Sequence, residues 1–409
     1  MSGGGFAAAL RWPPGSDKFR LLAGILLALT AAYGVTYLAI AVARGWPQGF
    51  GDSFAVWSWG RFIDEHPAAA IYDPAALRAA QLALGMDPGA SYPFAYPPSY
   101  LLVLWPLGTL PGWLSPALLM GISLPLYLWA TLGRAWRWPA LLAALAAPTT
   151  AIAVVAGQSG FLAAALLAGG LRLAAAGPVV GGVLLGLLTY KPQLGLLVPV
   201  ALVAARLWRT LAAAALTAVF LAGLTSLFFG IAAWPSWAAS IPAFSRQFAA
   251  ESSEIVHLMP TPLAALVQLG IALPLAQALQ WAATAAAASV VWMLFRGGSS
   301  RLASAGLLVA ALLATPYAFV YDMPILATAI IWLALERQRS GDAFGTGEVL
   351  AMILAMLSPM TLTAGQSSFP LAALSLVLLL GLIVRRSWRL RRQSRPTPLL
   401  AAAGGSIRR

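Results

Sequence analysis

Two ionisable residues occupy positions where a charge could take part in chemistry, and the first of them is Asp52. It is the first acidic residue after the first long apolar segment, and aromatic residues follow it in the stretch GDSFAVWSWGRF. A carboxylate placed just beyond a membrane surface can act as a general base that takes the proton of an acceptor hydroxyl. The same position also suits a solvated loop residue or the cap of a helix that begins near Ser53.

Lys191 is one of two lysines among 409 residues, and it lies inside an apolar run, directly before Pro192. A buried lysine loses its proton unless an anion pairs with it. The Lys-Pro break divides the run into two short segments, and non-helical backbone at membrane depth is tolerated only where it lines a cavity. A cation here suits a lipid phosphate, and the alternative is a side chain that extends to the membrane interface.

Three further candidates lie at predicted outer ends of apolar segments. Gln158, in the turn GQSGF, is either a hydrogen-bonding group of a cavity or a helix cap between two packed segments. His257, in EIVHLMPTP, suits a phosphate contact or an acid role, but also a plain interfacial histidine. Asp322 is an acid within an apolar region, which favours either a functional role or an ion pair with Lys or Arg across a cavity.

Aromatic residues accompany these polar candidates. Tyr96, in YPFAYPPSY, suits packing against a sugar or a lipid, or the structural role of holding the proline-flanked segment 96–111. Tyr317 and Tyr321 share the outer helix end TPYAFVYDMP with Asp322. All three tyrosines are therefore candidates for lining a substrate cavity.

The elements that must position these residues are membrane helices. Sixty per cent of the residues are hydrophobic and nine per cent are charged, whereas soluble domains contain about 25% charged residues. The sequence therefore predicts an all-α polytopic membrane protein, with 96–111 as a half-helix or re-entrant piece. Apolar segments long enough for about twelve transmembrane helices are 19–43, 113–133, 139–155, 157–175, 178–190, 193–207, 210–231, 273–295, 302–316, 321–336, 347–364 and 369–385.

The charges predict the orientation of these segments. With both termini in the cytoplasm, 20 of the 25 basic residues face inward, and the five that face outward are Arg44, Arg61, Arg78, Lys191 and Arg246. This bias follows the positive-inside rule and accounts for the net charge of +13 without nucleic acid. We expect a single domain over 1–400, with long outer loops at 44–95 and 232–262 and a basic cytoplasmic tail over 386–409.

Several functional classes are excluded or disfavoured. The chain has no Cys and two His residues, which excludes thiol chemistry and disfavours a His-rich metal site. It has no Walker-type glycine loop, no GxSxG and no HExxH motif. No neighbouring acids accompany Asp52, so we expect neither a metal nor another cofactor.

The order of motifs resembles glycosyltransferase family 87, which includes bacterial polyprenyl-phosphate-mannose-dependent alpha-mannosyltransferases. The resemblance runs over about residues 20–385 and depends on Asp52 after the first segment, followed by IYDP, YPPSYLLVLWPLGTLP, GQSGFLAAALLAGGL, GVLLGLLTYKPQLGLLVP with RLWR, and TPYAFVYD.

The resemblance implies a GT-C-like bundle of transmembrane helices in a bacterial inner membrane, with juxtamembrane helices in the first external loop and a cavity facing the periplasm. It implies transfer of a sugar, with inversion, from a polyprenyl-phosphate-linked donor to a hydroxyl of a glycan or glycolipid acceptor. By similarity Asp52 is the base and Lys191 lies near the carrier phosphate. We expect His257 and Arg61 near the same phosphate, where positive charge stabilises the leaving group.

Two other functions are compatible with the sequence. A transporter or flippase of polyprenyl-linked sugars would need a pathway open to both faces, and a non-catalytic membrane subunit would bind the lipid without turnover. The loops are long and charged outside but short inside, and no repeated halves are evident, which favours the enzyme over a transporter.

Overall fold

The protein is described here by a computed structural model, which covers residues 11–12, 16–46, 51–134, 137–250, 256–298, 300–340, 343–364 and 369–393. For residues 11–12, 51, 245–250 and 392–393 only the backbone is described. Glu251, Glu254 and the tail beyond Gln393 lie outside the described residues, as does the side chain of Arg246.

The described residues are overwhelmingly helical. Short 3-10 helices cover Ala68–Tyr72, Pro98–Tyr100, Leu188–Tyr190, Val256–Leu258 and Val320–Asp322. A two-residue antiparallel pair joins β1 (Arg11–Trp12) to β2 (Phe344–Gly345). The α-helices are α1 (Asp17–Ala43), α2 (Gly51–Glu65), α3 (Pro74–Ala83), α4 (Leu101–Gly108), α5 (Leu114–Leu132), α6 (Trp138–Ala146), α7 (Pro148–Ala156), α8 (Gly160–Leu173), α9 (Pro178–Leu187), α10 (Pro192–Gly195), α11 (Val198–Ala204), α12 (Trp208–Phe229), α13 (Ala233–Ala250), α14 (Pro262–Gln268), α15 (Leu273–Phe295), α16 (Arg301–Ala314), α17 (Pro324–Ser340), α18 (Thr346–Thr363) and α19 (Leu371–Gln393).

Among the described residues, six helices are long and apolar enough to cross a membrane, namely α1, α5, α12, α15, α18 and α19. The pair α6 and α7 adds a seventh span if it is counted as one helix, bent by 52° at Ala147. The chain is therefore an all-α multi-pass membrane protein. The other segments predicted to span are helices of 17 residues or fewer, so the number of twelve spans remains a prediction.

The buried core lies among the shorter helices. Every described residue of α16 from Leu302 to Ala314 is buried, and so is most of α8. By contrast, α1 and α12 bury only 11% and 6% of their apolar stretches within the protein. Such helices expose their side chains to lipid, whereas α8 and α16 carry the packed centre against which the other elements are held.

The predicted first loop, 44–95, is largely helical. The motif IYDP begins α3, because Asp73 caps it by accepting hydrogen bonds from the backbone N–H groups of Ala75 and Ala76, and Pro74 occupies the first turn. The second predicted loop, 232–262, likewise contains a helix, α13, instead of irregular chain.

Helix α2, which carries Asp52, is fixed by a close crossing with α4 in the segment predicted to be a half-helix. A Cβ on Gly60 would overlap the carbonyl of Leu104, and one on Gly108 would overlap the backbone of Gly60 and Arg61. Only glycine permits this approach of two backbones. The predicted tail begins inside α19, which stays helical to Gln393 and includes Arg385, Arg386 and Arg389.

Candidate active site

The structure brings together five of the residues singled out from the sequence. Asp52, Lys191 and Asp322 form a group of three charges, and the rings of Tyr96 and Tyr321 surround the lysine. These residues come from four separate parts of the chain. We call them the acid–lysine cluster.

Lys191 and Asp322 form a buried ion pair. Lys191 Nζ donates to Asp322 Oδ1 at 2.5 Å, and the two side chains are 2% and 0% exposed. The second carboxylate oxygen of Asp322 accepts a hydrogen bond from the backbone N–H of Phe319 at 3.2 Å. Because both carboxylate oxygens are engaged, Asp322 is fixed at the entry to α17 and holds the ammonium group in place.

The Lys-Pro break positions the lysine. Helix α9 tightens into the 3-10 helix Leu188–Tyr190, Lys191 has a non-helical backbone, and Pro192 begins α10. The structure therefore has the interruption predicted from the sequence. It places Lys191 among packed side chains, next to the carboxylate of Asp322.

Aromatic rings form the wall around the ammonium group. Lys191 Nζ lies 4.9 Å from the ring centroid of Tyr321 and 5.7 Å from that of Tyr96. Both distances are within the range of a cation–π interaction. Tyr96 is held from behind, because its backbone carbonyl accepts a hydrogen bond from the hydroxyl of Tyr72 at 2.9 Å.

Asp52 is the third charge of the cluster and lies in the first turn of α2. The helix begins at Gly51, so Asp52 lies within the helix and is not the residue that precedes it. Burial raises the pKa of Asp52 to about 6; Lys191 opposes this shift and the Asp322 carboxylate adds to it. Helix α2 is outside the candidate spans. Asp52 is half-buried, so it remains within reach of a ligand.

Two glycines of the turn GQSGF allow α2 and the Tyr321–Asp322 segment to pack closely against this turn. Gly157 has a φ of +63°, and a Cβ there would overlap the hydroxyl of Ser53 in α2. A Cβ on Gly160 would overlap the backbone carbonyl of Tyr321. The turn therefore lets both α2 and the Tyr321–Asp322 segment approach the start of α8.

Gln158 lies between these glycines and is 2% exposed. Its side-chain N–H group donates a 3.4 Å hydrogen bond to the backbone carbonyl of Asp52, while its Oε1 accepts none among the described residues. A buried acceptor without a partner is unusual in folded proteins. Gln158 is therefore both a contact that positions Asp52 and a free acceptor beside it.

Two other tyrosines support the lysine. They lie within the motifs YPPSY and TYKP but were not among the predicted site residues. Tyr100 and Tyr190 stack with their ring centroids 4.9 Å apart, and Tyr100 also contacts the ring of Tyr96. The hydroxyl of Tyr190 donates to the backbone carbonyl of Ser159 in the GQSGF turn. The sequence feature that could have identified Tyr190 is its position directly before Lys191.

Three predicted site residues have other partners or surroundings among the described contacts, and none of those contacts joins them to the cluster. Arg61 pairs with Asp64 and Glu65 on the surface of α2, at 3.2 and 2.8 Å. His257 lies in the 3-10 helix Val256–Leu258, and its buried Nδ1 has no hydrogen-bond partner among the described residues. Tyr317 packs edge-on against Phe244, with 5.9 Å between ring centroids. The phosphate roles of Arg61 and His257 therefore remain predictions.

Within the described part of the chain, no group of three or more His, Asp or Glu side chains is arranged to hold a metal ion. The three charged groups of the cluster are two carboxylates and an ammonium, and one of those carboxylates is occupied by the ammonium. The chemistry that this arrangement can perform is proton transfer by Asp52 next to a fixed positive charge.

Comparison with known proteins identifies the family. The model of glycosyltransferase family 87 matches residues 94–319, which is 226 of the 409 residues. The matched range includes Tyr96, Gln158 and Lys191, whereas Asp52 and Asp322 lie on either side of it. Searches of curated protein sequences and of solved structures give no significant match. Because the family model covers more than half of the chain, the protein belongs to glycosyltransferase family 87.

Proposed function

We propose that this membrane glycosyltransferase takes a sugar, with mannose as the first candidate, from a polyprenyl-phosphate-linked donor and transfers it to a hydroxyl of a glycan or glycolipid. The observation that carries this proposal is the position of Asp52. Its carboxylate lies within electrostatic range of Lys191, and burial raises its pKa to about 6. A base is most effective when its pKa lies near the working pH.

The reaction proceeds as a single inverting displacement. The acceptor hydroxyl attacks the anomeric carbon of the donor sugar while Asp52 removes the hydroxyl proton. The bond between that carbon and the phosphate oxygen breaks, and its electron pair leaves with the polyprenyl phosphate. Asp52 then holds the proton and returns it to solvent, so that the products are the glycosylated acceptor and the polyprenyl phosphate.

Lys191 supplies positive charge for the departing phosphate. Asp322 holds its ammonium group at 2.5 Å, and the flanking rings of Tyr96 and Tyr321 keep water from it. A fixed charge in a dry site stabilises a developing anion better than the same charge in water. Gln158 holds the start of α2 beside the site through its hydrogen bond to the backbone carbonyl of Asp52.

The proposal places the cluster on the periplasmic side of a bacterial inner membrane, with both termini in the cytoplasm, in a GT-C-like bundle of about twelve spans. Its support is the distribution of charge along α17. Asp322 precedes this 17-residue helix and Arg337 and Arg339 end it, about 25 Å away at 1.5 Å per residue. Basic residues favour the cytoplasmic end.

Turnover in nanodiscs tests the proposal. The purified protein is supplied with polyprenyl-phosphate sugars that differ in the sugar, together with a glycolipid acceptor, and the products are identified by mass spectrometry. We expect transfer from one donor, and we expect Asp52→Asn to lower that rate by about 100-fold or more.

Asp64→Asn is the matched control, because it makes the same change on the surface of α2, where Glu65 continues to hold Arg61. We expect its rate to stay near that of the wild type. In sealed proteoliposomes, release of the intact donor on the far side of the membrane, without any product, would instead identify a flippase. Donor binding without turnover or translocation would identify a non-catalytic subunit.

A further inference from the structure

A large cavity lies away from the acid–lysine cluster, between α18 (Thr346–Thr363) and α19 (Leu371–Gln393). Its volume is about 1270 Å³, above the roughly 300–1,000 Å³ of ordinary ligand pockets. One stripe of α18, from Glu348 to Thr361, and one stripe of α19, from Leu371 to Arg389, line it. The cavity is therefore a groove along the two helices, about 27 Å long at 1.5 Å per residue.

The walls of the groove are apolar and accessible from the side. Leu350 on α18 and Val377 on α19 are 60% and 55% exposed. Gly381 also lines the groove, and a Cβ on it would meet nothing within 4 Å. In a bilayer such a groove is in contact with acyl chains.

One end of the groove is strongly basic. Four arginines and one carboxylate line it. Glu348 pairs with Arg337, which also stacks on Phe344, and Arg386 donates to the hydroxyl of Ser340 at 2.9 Å. Arg385 and Arg389 are exposed, and neither forms an ion pair with an acidic side chain of the described residues. Arg385 and Arg389 therefore place two exposed positive charges beside the apolar walls.

This basic end is opposite to the acid–lysine cluster. Helix α17 starts directly after Asp322 and ends at Ser340, where Arg386 binds. A sugar donor whose phosphate is near Lys191 therefore cannot place that phosphate on Arg385 or Arg389, about 25 Å away. The groove requires a different occupant.

We propose that the groove binds an anionic phospholipid of the leaflet at this end, with its phosphate on Arg385 and Arg389 and an acyl chain between α18 and α19. Both charge and shape fit such a lipid. Its anionic phosphate lies against the guanidinium groups, and its acyl chain enters the apolar groove that begins beside them. Guanidinium groups bind phosphate oxygens in pairs, and basic pockets between membrane helices select anionic head groups.

Native mass spectrometry of the full-length protein tests this site. Delipidated protein is titrated with phosphatidylglycerol and, separately, with phosphatidylcholine. We expect phosphatidylglycerol to bind at least about 10-fold more tightly, and we expect Arg385→Gln with Arg389→Gln to remove that preference, since these arginines supply the positive charge that attracts the anionic head group.

Arg209→Gln with Arg296→Gln is the matched control. It removes two exposed arginines that also lie at this end. Thr210, next to Arg209, donates to the backbone carbonyl of Ala174 at the end of α8. Arg391 of α19 donates to the backbone carbonyl of Leu294, two residues before Arg296. We expect the control to keep the lipid preference. Gly381→Phe fills the open groove without changing charge, and we expect it to weaken the binding of both lipids.

Equal loss of phosphatidylglycerol binding in the control and the test variants would overturn the proposal. Any exposed arginines at this end would then attract the lipid, and the groove would not be a specific site. Displacement of phosphatidylglycerol by polyprenyl phosphate would assign the groove to the donor carrier. A dimer that dissociates in Gly381→Phe would assign it to a second copy of the chain. Because the readout is lipid binding, it stays independent of sugar transfer.

Discussion

At one end of α17, Lys191 is buried against Asp322 among tyrosine rings, whereas at the other end Arg385 and Arg389 are exposed beside an apolar groove. The buried ammonium has a carboxylate at 2.5 Å, while the exposed guanidinium groups have no carboxylate partner among the described residues. Charges in low dielectric cost several kcal/mol each unless they are paired, and exposed charges do not. The difference separates two kinds of basic residue. A buried one requires an anionic partner beside it, whereas an exposed one is explained by the orientation of its helix in the membrane.

The largest effect is expected from separating the buried pair. Asp322→Asn leaves Lys191 buried without its anion, and we expect a loss on the order of 3–5 kcal/mol in the free energy of unfolding. Glu348→Gln makes the same change beside Arg337, where the carboxylate is 16% exposed, and should cost less. Denaturant titration in detergent micelles measures both, and equal losses would contradict the contrast.

The double variant Lys191→Met with Asp322→Asn sharpens the same comparison. Because no uncompensated charge remains, we expect most of the lost stability to return. Turnover should stay about 100-fold or more below the wild type, since the positive charge at the phosphate is absent. Restored turnover would show that the pair serves stability alone.

The approach of the GQSGF turn to Tyr321 provides a second, smaller test. Gly160→Ala places a methyl group against the carbonyl of Tyr321, and overpacking of this kind costs about 1–3 kcal/mol. We expect slower turnover with α8 intact, because Tyr321 and Asp322 are displaced. Gly121→Ala is the control, since its methyl group meets nothing within 4 Å. A Gly160→Ala enzyme as fast as this control would show that the contact does not position the cluster.

We expect the cost of keeping Asp52 ionised to lower the stability of the folded protein at neutral pH. Its pKa is raised from 3.8 to about 6, so its contribution is fully present below about pH 3.8 and is lost as the pH rises through about 6. Asp52→Asn removes this loss. We expect its thermal midpoint to exceed that of the wild type at pH 7.5, and the difference to shrink towards pH 4. A difference that is the same at both pH values would contradict the raised pKa.

The smallest effect is expected at the surface of α2. Arg61→Gln removes two exposed ion pairs, with Asp64 and Glu65, and such pairs contribute about 1 kcal/mol or less. We expect little change in stability or in the KM for the donor. A KM raised tenfold would instead support the predicted contact of Arg61 with the carrier phosphate.

Much of the cluster could be predicted because its members violate the apolar pattern. Lys191 and Asp322 are rare charges within apolar regions, and their pairing was one of the alternatives that the sequence left open. The Lys-Pro break and the helical character of segment 96–111 also follow from local chemistry. Proline lacks the backbone N–H group and is favoured in the first turn of a helix, and Pro192 begins α10 in this way.

Other features depend on contacts that the sequence does not encode locally. The helices within 44–95 and 232–262 are mixed in polarity, so their composition resembles that of loops. The approach of Gly160 to Tyr321 joins residues 161 positions apart, and no periodicity predicts it. The basic end of the groove was visible as a run of arginines, but its apolar walls appear only when α18 and α19 are paired.

The pH dependence of kcat/KM for sugar transfer tests the role of Asp52 most directly. With Asp52 as the base, kcat/KM for the wild type should rise about tenfold per pH unit below about pH 6 and level off above it. Asp52→Asn should be slow and should lack this rise. A wild-type profile that is flat across this range, or an Asp52→Asn profile that keeps the same rise, would contradict the assignment.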